Sequence, residues 1–194
     1  MELKELLKFL LEKQKKCQYV VSFKEICEQF TDEKAQSINI QLHRFAKEGM
    51  IVPLVKGYYT NPFMAEEKPE TILLELAKKL RPNDKFYLSL EYDAFECNMI
   101  NQLPNGFTFV TTGRSYRYYT PVGVIHFTHL SNINLESEYI FQDKWRGIYV
   151  AEPKQIILDA LRLKKFDLID LILEKNDEYK SVEDLLENYR EEED

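Results

Sequence analysis

Gln36, Ser37, Ile40, Arg44 and Lys47 follow one another at steps of one, three and four residues, and Lys56, Tyr58, Tyr59 and Thr60 come close behind them. These side chains suit a nucleic-acid duplex. A glutamine amide can make two hydrogen bonds to an adenine edge, and an isoleucine can sit against a thymine methyl. Arginine and lysine neutralise phosphate, and tyrosine or threonine hydroxyls can donate to phosphate oxygens.

Other chemistries find less material. His126 and His129 stand three apart in "HFTH", and on a strand that spacing sends them to opposite faces, which does not suit a shared metal. The valine, isoleucine and phenylalanine around them favour a strand. Cys17, Cys27 and Cys97 form no Cys-x-x-Cys pair, so neither a zinc site nor a disulfide framework is expected, and each reads as a small buried hydrophobe. There is no phosphate-binding glycine loop of the P-loop or dinucleotide type and no Gly-x-Ser-x-Gly. "TTGRS" could cup a phosphate but also reads as a hairpin turn between "FTFVTT" and "YRYYT". The acid pairs Glu91 with Asp93 and Asp167 with Asp170 read as solvated helix faces. The expectation is a protein that is not an enzyme, with no cofactor and no metal.

The elements that would carry the polar set can be traced from the pattern. Leu3, Leu6, Leu7, Leu10 and Leu11 make one apolar stripe of a first helix. After a short strand at "QYVV", Ser22 with Glu25 forms a capping box for a second helix that buries Phe23, Ile26, Cys27 and Phe30. Thr31 or Asp32 caps a third helix over about residues 33–48, closed by Gly49. At about 100° per residue, Ala35, Ile38, Leu42, Phe45 and Ala46 share the inner side of that helix. Gln36, Ser37, Ile40, Arg44 and Lys47 take the outer side, with His43 at its margin. Residues 51–55 and 58–60 make a hairpin about Lys56-Gly57, with Pro53 tolerable only on an edge strand.

Three helices and a hairpin of this kind read as a winged helix-turn-helix over residues 1–62. The third helix then enters the major groove and the hairpin lies on flanking phosphates. Alternation along the strand leaves only one of Tyr58 and Tyr59 outward, and either could be the one. Residues 61–69 read as the junction to a second domain, residues 63–194. It opens with a helix from Pro69 to about Leu80. Strands at "FYLSL", "FTFVTT", "YRYYT", "GVIHFTHL", "EYIF" and "GIYVA" form an antiparallel meander, with helices at "EYDAFECNMI", "KQIILDALRL" and "LIDLILEK". The acidic tail, residues 183–194, is expected to fray.

Charge is uneven. The whole chain carries a net -7, but residues 1–62 hold ten Lys and Arg against eight Asp and Glu. Such asymmetry suggests a DNA-facing front and an acidic back. Hydrophobic residues at 44% and charged residues at 30% are the balance of a folded, soluble chain. With no signal peptide and no long apolar run, a cytoplasmic location without membrane contact is expected. In residues 113–123 Arg114 and Arg117 interleave with Tyr116, Tyr118 and Tyr119, the residue types of interface anchors. Arg114, Tyr116, Arg117 and Tyr119 are the candidates there, and a half-buried sheet edge gives the same pattern.

Three stretches resemble the antitoxins of type IV toxin–antitoxin (abortive infection) systems, the AbiEi-like family. They are "EGMIVPLVKGYYTNP", "FYLSLEYDAFECNMINQLPNGFTFVTTGRSYRYYTPVGVIHFTHL" and "GIYVAEPKQIILDALRL". Ser89, Leu90, Glu91 and Ala94 carry the helix pattern of the second stretch, and Thr112, Gly113 and Arg114 its turn. The likeness runs to about Leu163 and does not extend to the far C-terminus. It implies an α+β protein of two parts that acts in phage defence. The N-terminal winged helix would bind inverted repeats in promoter DNA as an autorepressor. The C-terminal part would neutralise a nucleotidyltransferase-like toxin, with or without direct binding, and cooperative self-association on DNA is a further expectation. The rival readings are a winged helix that docks protein, or a stand-alone transcriptional regulator without a toxin.

Overall fold

The computed structural model of the chain describes residues 1–175, and the expected acidic tail, residues 183–194, lies outside them. Packing divides the chain into two compact units. One is Met1–Pro82 with Tyr118–Val124, and the other is Asn83–Arg117 with the chain from Ile125 onward. Among the described residues there are eight α-helices and two sheets, a mixed α+β architecture.

In the first unit, α1 (Leu3–Lys15), α2 (Phe23–Gln29) and α3 (Ala35–Lys47) enclose one core. Their apolar stripes bury Leu6, Phe9 and Leu10 from α1, Ile26 from α2, and Ile38, Leu42 and Phe45 from α3. Burying each of these large side chains is worth about 1.5–3 kcal/mol. The stripe on α1 differs from the expected one, for Phe9 turns in and Leu11 stays exposed. The capping box on α2 is present. The Ser22 hydroxyl accepts from the Glu25 N–H at 3.2 Å, and the Glu25 carboxylate accepts from the Ser22 N–H at 2.8 Å. Neither Thr31 nor Asp32 caps α3. Lys34 is its N-cap residue, without a side-chain bond, and Ala35 is exposed rather than inward. Gly49, at φ +72°, ends the segment as expected.

β1 (Val21–Ser22), β2 (Val52–Val55) and β3 (Tyr58–Thr60) make an antiparallel sheet in the order β1-β3-β2. Pro53 thus lies on an edge, where its missing N–H costs no ladder bond, and a bulge sits between Pro53 and Val55. The expected junction contains a short helix, α4 (Pro62–Glu67), capped by Asn61, before α5 (Pro69–Leu80). Residues 63–82 therefore group with the first unit, whereas a division near Pro62 was expected. The bonds explain why. Glu75 accepts from the Tyr19 N–H at 2.7 Å, and Lys79 donates to Glu25 at 3.0 Å. The Tyr58 hydroxyl donates to the Lys79 carbonyl at 3.1 Å.

The larger sheet contains β4 (Phe86–Leu88), β5 (Phe107–Thr111), β6 (Tyr116–Thr120), β7 (Gly123–His129), β8 (Ile140–Asp143) and β9 (Ile148–Ala151), and all of it except Tyr118–Val124 belongs to the second unit. Their sheet order is β6-β7-β5-β4-β9-β8. It is a mixed sheet, not the expected antiparallel meander, because β5 pairs with β7 and β4 with β9 in parallel. β7 lies between β5 and β6, so "TTGRS" is a crossover loop and not a hairpin turn. Helices α6 (Glu91–Glu96), α7 (Pro153–Arg162) and α8 (Phe166–Lys175) contribute Ala94, Ile156, Ala160, Ile169 and Ile172 to the core over this sheet.

Cys17 and Cys97 are exposed and Cys27 is half-buried, so the expectation of three buried thiols is corrected. Cys17 and Cys97 fall just past the ends of α1 and α6. No helix among the described residues is long and apolar enough to cross a membrane.

Candidate nucleic-acid interface

Ile38, Leu42 and Phe45 lie at four- and three-residue steps and pin one side of α3 to the core. The rest of the helix surface must then turn outward. Gln36, Asn39, Ile40, His43, Arg44 and Lys47 are all exposed. Ile40 is 63% exposed. Ser37 behaves differently from the expectation. It is half-buried, donates to Glu33 at 3.3 Å and accepts from the Gln41 amide at 3.2 Å. Gln41 also donates to Glu33 at 2.8 Å, so the acid at the front of α3 is occupied locally.

The turn between β2 and β3 is fixed in place. Gly57 takes φ +82°, a conformation that strains any residue with a Cβ, and its carbonyl accepts from the Phe23 N–H at 2.7 Å. That bond ties the tip of the hairpin to the start of α2. Lys56 is exposed at the tip. A groove of about 680 Å³ runs between α3 and the hairpin, lined by Gln36, Asn39, His43, Pro53, Lys56 and Tyr59 among others. Gln36 and Lys56, two of the residues picked from the pattern, therefore share one surface. Asn39 was missed as a member of it, and His43, placed at the margin of the outer side, belongs to it. Gln36, Asn39 and His43 are spaced three and four apart, the same arithmetic that placed the inner stripe.

The two tyrosines divide their work. Tyr58 spends its hydroxyl on the Lys79 carbonyl. Tyr59 packs partly against the helical core while lining the groove, and burial pushes its phenol above the ordinary value, so it stays a donor. Thr60 leaves the expected contact set. It is fully buried, and its hydroxyl donates to the Tyr19 carbonyl at 2.7 Å. Arg44 lies over the Phe45 ring at 5.1 Å and near Glu48 at 3.9 Å. Both contacts are solvent-exposed and weak enough to be exchanged for a phosphate.

The second unit gathers polar groups of another kind. Asp159 is fully buried and accepts from the Tyr87 hydroxyl at 2.8 Å, the Ser89 hydroxyl at 2.8 Å and the Gln155 amide at 2.8 Å. Burial raises its carboxyl, against the pull of those three donors. Asp93 is also buried, which corrects the solvated-face reading. Burial is the largest cause that lifts it to about 8, and one of its oxygens has no hydrogen-bond partner. Glu91 is half-buried and paired with Lys165. Glu91 and Asp93 stand two residues apart, about 200° around the helix, so the two carboxyls have different surroundings.

Among the strip candidates, Arg114, Tyr116, Arg117 and Tyr119 are all exposed. Arg117 lies 3.4 Å from Nδ1 of His126. Burial first, and that guanidinium next, hold His126 below its ordinary value. His129 instead meets the Gly113 carbonyl at 2.9 Å, so each histidine has its own partner. The "TTGRS" loop uses its polar groups internally. Thr111 accepts from the Gly113 N–H, and Ser115 accepts from the His129 N–H. No group of three or more metal-ligating side chains occurs among the described residues.

No known family model matches the chain, and no curated protein matches it.

Proposed function

We propose that the first unit is a winged helix-turn-helix that binds duplex DNA, and that the chain is a promoter-binding autorepressor and antitoxin of the type IV, AbiEi-like kind. The observation that carries the DNA reading is the shared surface of α3 and the hairpin. An exposed row of amides, an imidazole, an isoleucine and cations stands beside an anchored, lysine-tipped turn. In the proposed complex Gln36, Asn39 and Ile40 approach base edges, and Arg44, Lys47 and Lys56 hold phosphates. The antitoxin reading rests on the three stretches of resemblance. It assigns no catalytic role to the chain and makes a nucleotidyltransferase-like toxin the target, with direct binding left to experiment.

Binding of the upstream intergenic duplex, followed by anisotropy, tests the first half. Lys56→Ala should weaken binding to all sequences several-fold and lower the salt slope by about one. Gln36→Ala should relax discrimination at one or two base pairs, which phosphate contacts cannot do. Equal affinity in both variants would overturn the assignment. Co-expression with the neighbouring toxin gene tests the second half, with rescue of growth as the readout.

A second reading has one observation in its favour. Ile40 and Met50 are both large, apolar and exposed, as a protein-docking face would have them. Failure to shift any duplex, with capture of a protein that Ile40→Asp abolishes, would move the function there.

A further inference from the structure

Residues 35–43 of α3 include no lysine, arginine, aspartate or glutamate. Those are the side chains that read a G·C pair in the major groove. Arginine or lysine takes the O6–N7 edge of guanine, and a carboxylate accepts from the N4 amine of cytosine. The acid just before the helix, Glu33, is committed to the Ser37 hydroxyl at 3.3 Å and the Gln41 amide at 2.8 Å. The cations of α3, Arg44 and Lys47, stand in its last turn. In a helix-turn-helix the N-terminal residues of the recognition helix meet the base edges.

The early turns offer chemistry of the other kind. Gln36, Asn39, Ile40 and His43 are all exposed. At about 100° per residue Gln36, Ile40 and His43 fall within about 60° of one another, and Asn39 stands about 40° beyond His43. Asn39 is on the side where the groove to the hairpin runs. From Gln36 to His43 the helix rises about 10 Å, or about three base steps of 3.4 Å.

Each side chain in this row has a preference. Neither the Gln36 nor the Asn39 amide is hydrogen-bonded within the described residues, whereas the Gln41 amide is spent on Glu33 and Ser37. An amide matches the N6 donor and N7 acceptor of adenine with two hydrogen bonds. Guanine shows two acceptors there, so the amide carbonyl meets a lone pair instead of a donor. Ile40, 63% exposed, offers aliphatic surface that fits the C5-methyl of thymine, where cytosine has only a hydrogen. His43 can donate to the N7 of either purine and does not choose between them.

We infer that α3 selects A·T base pairs, with Gln36 and Asn39 each on the N6–N7 edge of an adenine and Ile40 against the methyl of a neighbouring thymine. The inference rests on the duplex reading proposed above and narrows it to a run of about three or four base pairs. The full chain, offered a pool of randomised duplexes, should enrich a core of consecutive A·T pairs. Analogue bases placed in the enriched duplex then test single atoms by anisotropy. Deoxyuridine for a core thymidine removes one methyl. It should weaken the parent about fourfold at the position Ile40 reads and leave Ile40→Ala unaffected. 7-Deazaadenine for a core adenine removes the N7 acceptor. It should weaken the parent about tenfold, and leave Gln36→Ala or Asn39→Ala unaffected at the position each one reads. All three side chains are exposed, so the variants should melt with the parent. An enriched core of G·C pairs overturns the inference and leaves DNA binding standing, as does tight binding without base preference. Analogue penalties that persist in full in the alanine variants overturn it too. If no duplex is retained at all, the duplex reading fails and this inference fails with it.

Discussion

The outer face of α3 and the interior around Asp159 both concentrate polar side chains, and they do opposite things with them. On α3 the amides and cations are exposed. Lys47 and Lys56 engage no carboxylate among the described residues, and Arg44 holds only weak, solvated contacts. Around Asp159 every donor is already used. Tyr87, Ser89 and Gln155 all point at one carboxylate that water does not reach. Polar clustering therefore marks a binding surface only where hydrogen-bonding capacity is left over. Where it is consumed internally it specifies the fold.

That contrast can be broken most forcefully at Asp159. Replacing it with alanine strands three buried donors and should cost about 3–5 kcal/mol in urea unfolding, while the folded fraction binds DNA with unchanged affinity. A loss of DNA affinity at full stability would instead make the interior part of the site.

Asp93 sharpens it through pH. Its carboxyl rises from 3.8 to about 8 on folding, so the folded state holds a proton that the unfolded state has lost throughout that window. Stability should fall as pH rises from about 4 to about 8, by a few kcal/mol, and level off above. Asp93→Asn should flatten the curve, and an unchanged slope in that variant would contradict the assignment.

Glu25 runs the other way. Burial opposes its ionisation, but the Ser22 N–H, Lys79, the Ser22 hydroxyl and Lys13 outweigh that and lower it from 4.5 to about 2. Its stabilisation should be complete above about pH 4.5 and fade as pH falls toward 2. Glu25→Gln should cost about 1–3 kcal/mol at neutral pH and little at pH 2.

The smallest effect on stability belongs to the α3 surface. Asn39→Ala and His43→Ala should leave stability within about 0.5 kcal/mol of the parent, and weaken DNA binding measurably.

How much of this was legible in the sequence follows from the range of the forces involved. The capping box at Ser22, the span of α5 from Pro69 and the terminator at Gly49 are set within four residues, and local spacing found them. Angular spacing also placed Ile38, Leu42 and Phe45 inward. It failed at Ser37, whose hydroxyl is drawn to Glu33 and Gln41, and the choice of Thr60 for its hydroxyl failed because its partner Tyr19 lies 41 residues away. The sheet of the second unit was read as a meander because neighbouring strands usually pair. The insertion of β7 between β5 and β6 is decided by long-range packing that no short window contains. Asp93 and Asp159 were invisible for the same reason. Their donors or neighbours come from elements up to 72 residues distant, and nothing in the local sequence distinguishes a buried aspartate from a solvated one.

The central claim is that the outward side of α3 and the hairpin tip hold a duplex. The most direct measurement is the salt dependence of upstream-DNA binding for the parent chain and for the triple variant Arg44→Ala, Lys47→Ala, Lys56→Ala. Removing three phosphate contacts should lower the magnitude of the log–log slope by about 2.7 at unchanged melting temperature. An identical slope and affinity in the triple variant would contradict the account.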